Sequence, residues 1–276
     1  MLVFPQLGKN PLGQGVIKLP SVGLVRFRQS RPAPDGFNVK QARIVKRASG
    51  FYLMLTFQAD IDIPGTPITG HVVGVDVGLQ YFLSTSDGLE IERPRFFVEM
   101  QRELKLLQRR LKRKVIGSNN WRKMQKKVAR LHERISNTRK DFHFKTAHQL
   151  CDRGETIAVE QLNLIGLSRG FLGKHMLDAG HGQFLNQILP WVCFKRGVAY
   201  QKEDARGTSQ ECPDCGATVS KILKDPWHEC QNCGSSKPRD VASAQVIRNR
   251  AVGRTVLQNA CGDGLTGTGN RLVKSR

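Results

Sequence analysis

Apolar and polar positions change their period several times along the chain. Up to residue 68, Val16-Ile17-Lys18-Leu19, Gly23 to Arg28, Val39 to Lys46 and Phe51 to Ala59 are short runs separated by Pro20, Pro32, Pro34, Asp35-Gly36 and Ser49-Gly50. Proline removes a ladder donor and the glycine pairs reverse the chain, so this spacing predicts short strands in a small sheet or barrel. The stretch Ile61 to Thr69, with Pro64-Gly65 and Pro67, reads as a linker, and a second module begins near Gly70. Val72 to Gly78 is a mostly apolar strand interrupted by one carboxylate, Asp76. Tyr81 to Thr85, the Asp87-Gly88 turn and Leu89 to Ile91 then complete a three-stranded meander.

From Glu99 the period lengthens. Leu104, Leu107 and Leu111 recur at helical spacing, and after Gly117-Ser118-Asn119-Asn120 so do Met124, Val128, Leu131 and Ile135, which predicts an antiparallel helical hairpin over residues 99–150. Thr156 to Glu160 is again a buried strand ending in a carboxylate. Gly180 to Arg196 reads as an apolar helix that Pro190 should kink or break, and Gly197 to Tyr200 as a strand. Val241, Ala244 and Ile247 recur at helical spacing with Asp240 at the helix start. The Gly-rich end, 261–276, is expected to be a mobile tail.

Composition narrows the function. A chain of 276 residues with 39% apolar positions supports a core without staples, and no apolar run approaches the roughly 18 residues that span a bilayer. The amino terminus lacks the layout of a secretory signal, so a cytoplasmic address is expected, with the seven cysteines as thiols or metal ligands. The net charge of +21 calls for a polyanion, and Arg102 to Lys145 holds 16 basic against 3 acidic residues. With so few acids to form i,i+4 pairs, the hairpin cations Arg109, Arg110, Lys112, Arg113, Lys114, Arg122, Lys123, Lys126 and Lys127 suit a phosphate-facing role better than a merely solvated face.

Two constellations carry chemistry. Cys212-Pro-Asp-Cys215 and Cys230-Gln-Asn-Cys233 are CxxC knuckles with 14 residues between them, each followed by glycine. Four thiolates at this spacing surround one structural zinc, whereas a redox dithiol would leave the second knuckle unexplained. Asp76, Glu160 and Asp240 form the other set. Singly they have ordinary readings, as a turn residue, a solvated strand end and a helix N-cap. Together, converging on two magnesium ions about 4 Å apart, they would activate a water and stabilise the leaving oxygen of a phosphodiester.

The ordered motifs Gly74-Val-Asp76-Val-Gly78, Ala158-Val-Glu160-Gln-Leu-Asn163, Thr208-Ser-Gln-Glu-Cys212, the two knuckles and Arg239-Asp240 resemble TnpB, the OrfB-type protein of bacterial insertion sequences, which is related to the compact type V CRISPR nucleases. The resemblance implies an α/β, RNase H-like (RuvC) core with a helical hairpin and a zinc-ribbon insertion, preceded by a truncated wedge-like β-barrel. The corresponding division is a barrel over 1–68, core over 69–207 and 237–260, ribbon over 208–236 and tail over 261–276. It implies an RNA-guided, magnesium-dependent DNA endonuclease with guide RNA and target DNA as partners, and Asp76, Glu160 and Asp240 as its acids. Sequence reading is then delegated to base pairing. Arg26, Arg28, Arg31, Arg43, Lys46 and Arg47 are the phosphate contacts implied in the wedge, and Thr208 to Gln210 would line the approach to the nuclease site.

This sequence also departs from the family. Members carry further residues ahead of the barrel, including a helical recognition insertion, and Pro238 and Ala242-Ser243-Ala244 stand where an acidic residue and Asn-Ala-Ala are usual. The acids remain, so chemistry is expected to survive with recognition or guide retention altered. A nucleic-acid binder that no longer cuts and an unguided resolvase-like nuclease are the alternatives.

Overall fold

The computed structural model describes residues 1–8, 11–33, 35–58, 70–170, 173–220 and 225–260. The expected linker at Ile61–Thr69 and the expected tail at 261–276 lie outside the described residues. The chain divides into two units: Met1–Gly65 with Met100–Asn137, and Thr66–Glu99 with Thr138–Arg276.

In the first unit, β1 (Leu2–Phe4), β2 (Leu12–Gly13), β3 (Val16–Leu19), β4 (Gly23–Arg26), β5 (Asn38–Lys46) and β6 (Phe51–Gln58) form two antiparallel sheets, ordered β1-β5-β6 and β2-β3-β4. Alternate residues turn inward, so Ile17, Leu19 and Ala42 are buried and Val25, Ile44, Leu53 and Leu55 pack against them. The expected wedge-like barrel is not closed. Closure needs hydrogen bonding from one sheet to the other, and among the described residues no strand of one pairs with a strand of the other.

The basic segment forms α1 (Phe96–Lys112) and α2 (Asn119–Cys151), and residues 100–137 of these helices belong to the first unit. The narrow apolar stripe read from the sequence is the buried one, with Leu104, Leu131 and Ile135 at its centre. Glu133 on α2 accepts hydrogen bonds from the Ser49 amide and hydroxyl, at 2.9 and 2.6 Å, and so holds the β5–β6 turn.

The second unit is built on a five-stranded sheet. Its strands are β7 (Val72–Asp76), β8 (Tyr81–Thr85), β9 (Glu90–Glu92), β10 (Thr156–Gln161) and β11 (Ala199–Asp204), in the order β11-β10-β7-β8-β9. The meander β7-β8-β9 is antiparallel, as the Asp87-Gly88 turn requires, while β10 runs parallel to both β7 and β11.

After β10 come α3 (Leu164–Arg169), α4 (Gly173–Ala179), α5 (His181–Gln183) and α6 (Leu189–Arg196). The expected break at Pro190 takes an unexpected form: Phe184–Ile188 make a π-helical turn, and Pro190 falls in the first turn of α6, where its missing donor costs no hydrogen bond. Beyond β11, a hairpin of β12 (Trp227–Glu229) and β13 (Ser236–Pro238) leads into α7 (Arg239–Ala260).

Strand periodicity divides the core. Val73, Val75, Ile157 and Val159 join Leu150, Phe184, Leu189 and Val192 in the main cluster on one side of the sheet. Val72 and Ala158 meet Ile247 and Ala251 of α7 on the other. Gly74 shares that second side, and its lack of a side chain has a structural reason. A Cβ there would lie 2.0 Å from the Ala244 carbonyl and 2.7 Å from the Arg248 amide, so only glycine lets the α7 backbone close on the sheet.

Candidate nuclease cleft and four-cysteine ribbon

The same parity that buries Val72, Gly74 and Ala158 under α7 assigns Asp76 and Glu160 to that face. Val75 and Val159 are paired in parallel register, so the two acids follow side by side at the carboxyl ends of β7 and β10. Asp240 lies in the first turn of α7, where the unsatisfied amides favour an anion. Its position is fixed from two directions: the Arg239 amide donates to the Pro226 carbonyl at 2.9 Å, and the Arg239 guanidinium pairs with the Asp240 carboxylate at 3.2 Å.

Asp76 and Asp240 line an open cleft of about 350 Å³ together with Gln80, Ser209, Gln210, Arg239 and Ser243. Glu160 is buried beside it and accepts a hydrogen bond from the Thr208 hydroxyl. Burial, followed by the charges of Glu160 and Asp240, holds the Asp76 carboxyl well above the usual carboxylate range. Burial also raises Glu160, against the lowering effects of the Thr208 hydrogen bond and Arg250. Sequence reading missed Glu203, a buried acid on β11 in register with Glu160; its place in Lys202-Glu203-Asp204 disguised it as surface charge.

The cysteines are drawn together more tightly. Among the described residues, Cys212, Cys215, Cys230 and Cys233 are the one group of three or more candidate ligands whose atoms all lie within 4.8 Å of one another. Asp76, Glu160 and Asp240 do not form such a group. Each knuckle is folded by its own backbone: Gly216 donates to the Cys212 carbonyl and Gly234 to the Cys230 carbonyl, both at 2.9 Å, with positive φ at both glycines. The Asn232 side chain, 3.4 Å from the Cys215 sulfur, lowers that thiol to about 6. Four sulfurs with no oxygen or open position suit a structural zinc.

Ribbon and cleft share α7. Asn249 donates to the Pro213 carbonyl at 2.7 Å, and Arg250 pairs with Glu211 at 2.6 Å. Lys237 spans Asp214 and Gln245, at 2.8 and 3.0 Å. The helix that carries Asp240 into the cleft is therefore the one to which the ribbon is stitched. The cations singled out in the sequence are exposed and lie in the first unit: Arg26 and Arg28 on and beside β4, Arg109, Arg110 and Lys112 on α1, Arg113 and Lys114 after it, and Arg122, Lys123, Lys126 and Lys127 on α2. Arg31, Arg43, Lys46 and Arg47 are exposed there as well.

The second unit thus combines a mixed α/β sheet bearing acids at its strand ends with a four-cysteine cluster able to hold a metal ion, and the first unit is strongly cationic. Residues 56–169 match the family OrfB_IS605, probable transposase, and residues 181–247 match the Cas12f1-like TNB domain. The chain is 30% identical to the "Putative RNA-guided DNA endonuclease InsQ" of Escherichia coli (strain K12), over 94% of this chain and 67% of that one. It is 29% identical to a "Putative RNA-guided DNA endonuclease" of Streptomyces pristinaespiralis, over 87% of this chain and 58% of that one. A solved chain of a Cas12f1–sgRNA–target DNA complex is 16% identical with a TM-score of 0.45, over 90% of this chain and 70% of that one. The chain belongs to the TnpB, OrfB-type family, related to the compact type V nucleases.

Proposed function

We propose that the chain is an RNA-guided, magnesium-dependent DNA endonuclease whose second unit is a RuvC-like, RNase H-like core. The observation that carries this reading is the convergence of Asp76 and Glu160, from adjacent parallel strand ends, on the face capped by Asp240. The antiparallel meander followed by two parallel strands supports the fold assignment, and the names of the two bacterial relatives support the activity.

The carboxylates fit divalent cations chemically. Crowded, buried anions raise one another's proton affinity, and hard oxygen donors suit magnesium. When bound, such cations supply Lewis-acid polarisation at the phosphoryl group and offset its charge. Asp76 and Asp240 are the cleft acids that would hold them, with Glu160 as a further ligand oriented by Thr208. Arg239 steadies Asp240, and Ser209, Gln210 and Ser243 offer hydrogen bonds to the approaching backbone. The four cysteines would hold one zinc and so fix the entry to α7. The exposed cations of the first unit, Arg26 and Arg28 with the α1 and α2 set, would track guide and target phosphates.

The test is to purify the chain, sequence the RNA that accompanies it, and offer a DNA library with randomised flanks in magnesium. A defined RNA and cleavage at guide-matched sites are expected. Asp76→Ala should lower cleavage by at least about 100-fold while RNA binding stays intact, because removing an anion removes no phosphate contact. Equal loss of binding and cleavage would take Asp76 out of the chemistry. RNA-free cutting of branched DNA would favour the resolvase reading, and defined RNA without cutting would leave a guided binder.

A further inference from the structure

A second hollow adjoins the cleft. It measures about 160 Å³ and is lined by Gln80, Tyr81, Glu90, Trp227, Pro238, Arg239 and Asp240. Three of these residues, Gln80, Arg239 and Asp240, also line the carboxylate cleft. Trp227 is 52% exposed. An indole left half in water is a large apolar face without a covering partner. Its placement is fixed, since Trp227 stands opposite Pro238 in the β12–β13 register and the neighbouring Pro226 carbonyl holds the Arg239 amide at 2.9 Å. The indole is thus anchored beside the first turn of α7.

We infer that Trp227 and Tyr81 form a stacking seat for one unpaired nucleobase next to the phosphate addressed by Asp76 and Asp240. The volume lies well below the roughly 300 Å³ of an ordinary small-molecule site, which suits a single planar ring system. Aromatic faces accept any base by stacking. The rim supplies edge contacts: an amide at Gln80, a guanidinium at Arg239 and a carboxylate at Glu90. A phosphate in the cleft and its own base in this hollow require that nucleotide to be turned out of a duplex stack, which costs a few kcal/mol for paired DNA and little for a displaced strand. The substrate feature read here is therefore an unpaired nucleotide at the cut, whatever its sequence. Its position at the cut rests on the nuclease reading; the aromatic seat does not.

The experiment uses the full chain with Trp121→Phe and Trp191→Phe, which leaves Trp227 as the sole tryptophan. Its emission is titrated with single-stranded oligothymidylate and with an abasic strand of equal length, while binding of each is followed separately by anisotropy of an end label. Quenching by the oligothymidylate, with none from a bound abasic strand, is expected. In cleavage, Trp227→Ala should cost roughly fivefold or more on a normal substrate and little on one abasic beside the cut, while Trp227→Phe retains most activity. Zinc content, unchanged in both variants, separates loss of the seat from loss of the ribbon.

Equal quenching by both strands, or none from a bound oligothymidylate, would overturn the seat, as would failure of either strand to bind. Base-dependent quenching of the single-tryptophan chain, with a wild-type chain that cuts nothing, would overturn the nuclease reading and leave the seat standing; cutting without quenching does the reverse.

Discussion

The ribbon and the cleft are both sets of candidate metal ligands, yet they are built by opposite means. The four cysteines fall within 22 residues of chain, each knuckle is closed by its own glycine turn, and their sulfurs gather within 4.8 Å without help from the sheet. The carboxylates come from positions 76, 160 and 240 and reach the same face only through strand parity and the packing of α7. The cysteines are gathered by short backbone turns of their own, whereas the buried Asp76 has its proton affinity raised by its burial and by the other two acids. A local site closed by its own turns should survive insults to the sheet; a distributed, self-repelling site should not.

The sharpest way to break that contrast is Gly74→Val, a change that touches neither set of ligands. A side chain there meets the Ala244 carbonyl and the Arg248 amide, so α7 must lift from the sheet and carry Asp240 with it. Because the obstacle is backbone, the cost should exceed about 3 kcal/mol, with Tm falling by roughly 6–12 °C and cleavage lost. Zinc, measured on the purified chain, should stay near one per molecule. Loss of zinc in parallel would mean that the ribbon does not fold on its own knuckles.

Those two behaviours also decide how far the sequence could be read. The cysteines announce themselves by spacing, and the acids by interrupting apolar strands at Asp76 and Glu160. Gly74 could be seen, but its purpose could not, because the close approach of Ala244 is made by residues far along the chain. Glu203 was hidden for the same reason, since its burial depends on its register with Glu160 and not on its charged neighbours. Helix content in the basic segment followed from the narrow stripe of Leu104, Leu131 and Ile135. The wedge was read as a barrel because alternating short strands look alike whether or not their outer edges meet.

Cys212→Ser tests the other half of the comparison and should have the next largest effect. Losing one of four sulfurs would remove the proposed structural zinc, whose binding would also be folding free energy. Zinc should drop far below one per chain, and the loosened stitching at Asn249, Arg250 and Lys237 should reduce cleavage by about tenfold or more, in the range seen when metal-supporting contacts are removed. Binding of nucleic acid through the first unit should change little. A chain that stays folded, active and zinc-free after this substitution would remove the ribbon from any structural role.

The smallest effect is a matter of sign, and it isolates the repulsion itself. Asp76 and Glu160 have raised proton affinity in the folded chain, so their contribution to stability is fully present below the ordinary carboxylate range and is lost as pH rises through the folded values. Without divalent cations at pH 7, a charged Asp76 should therefore weaken the fold, and Asp76→Asn should raise Tm by about 2–4 °C. Below the ordinary carboxylate range the wild-type acid is itself uncharged, so that difference should disappear. Added magnesium should raise the wild-type Tm by preferential binding to the folded state and leave the Asn variant nearly unmoved. The measurement is a thermal melt in magnesium-free buffer, with no chelator present, because a chelator would also strip the ribbon. A variant that melts at or below the wild-type temperature at pH 7 would show that Asp76 is not strained by its neighbours, and the contrast between a crowded anionic site and a locally closed thiol site would lose its physical basis.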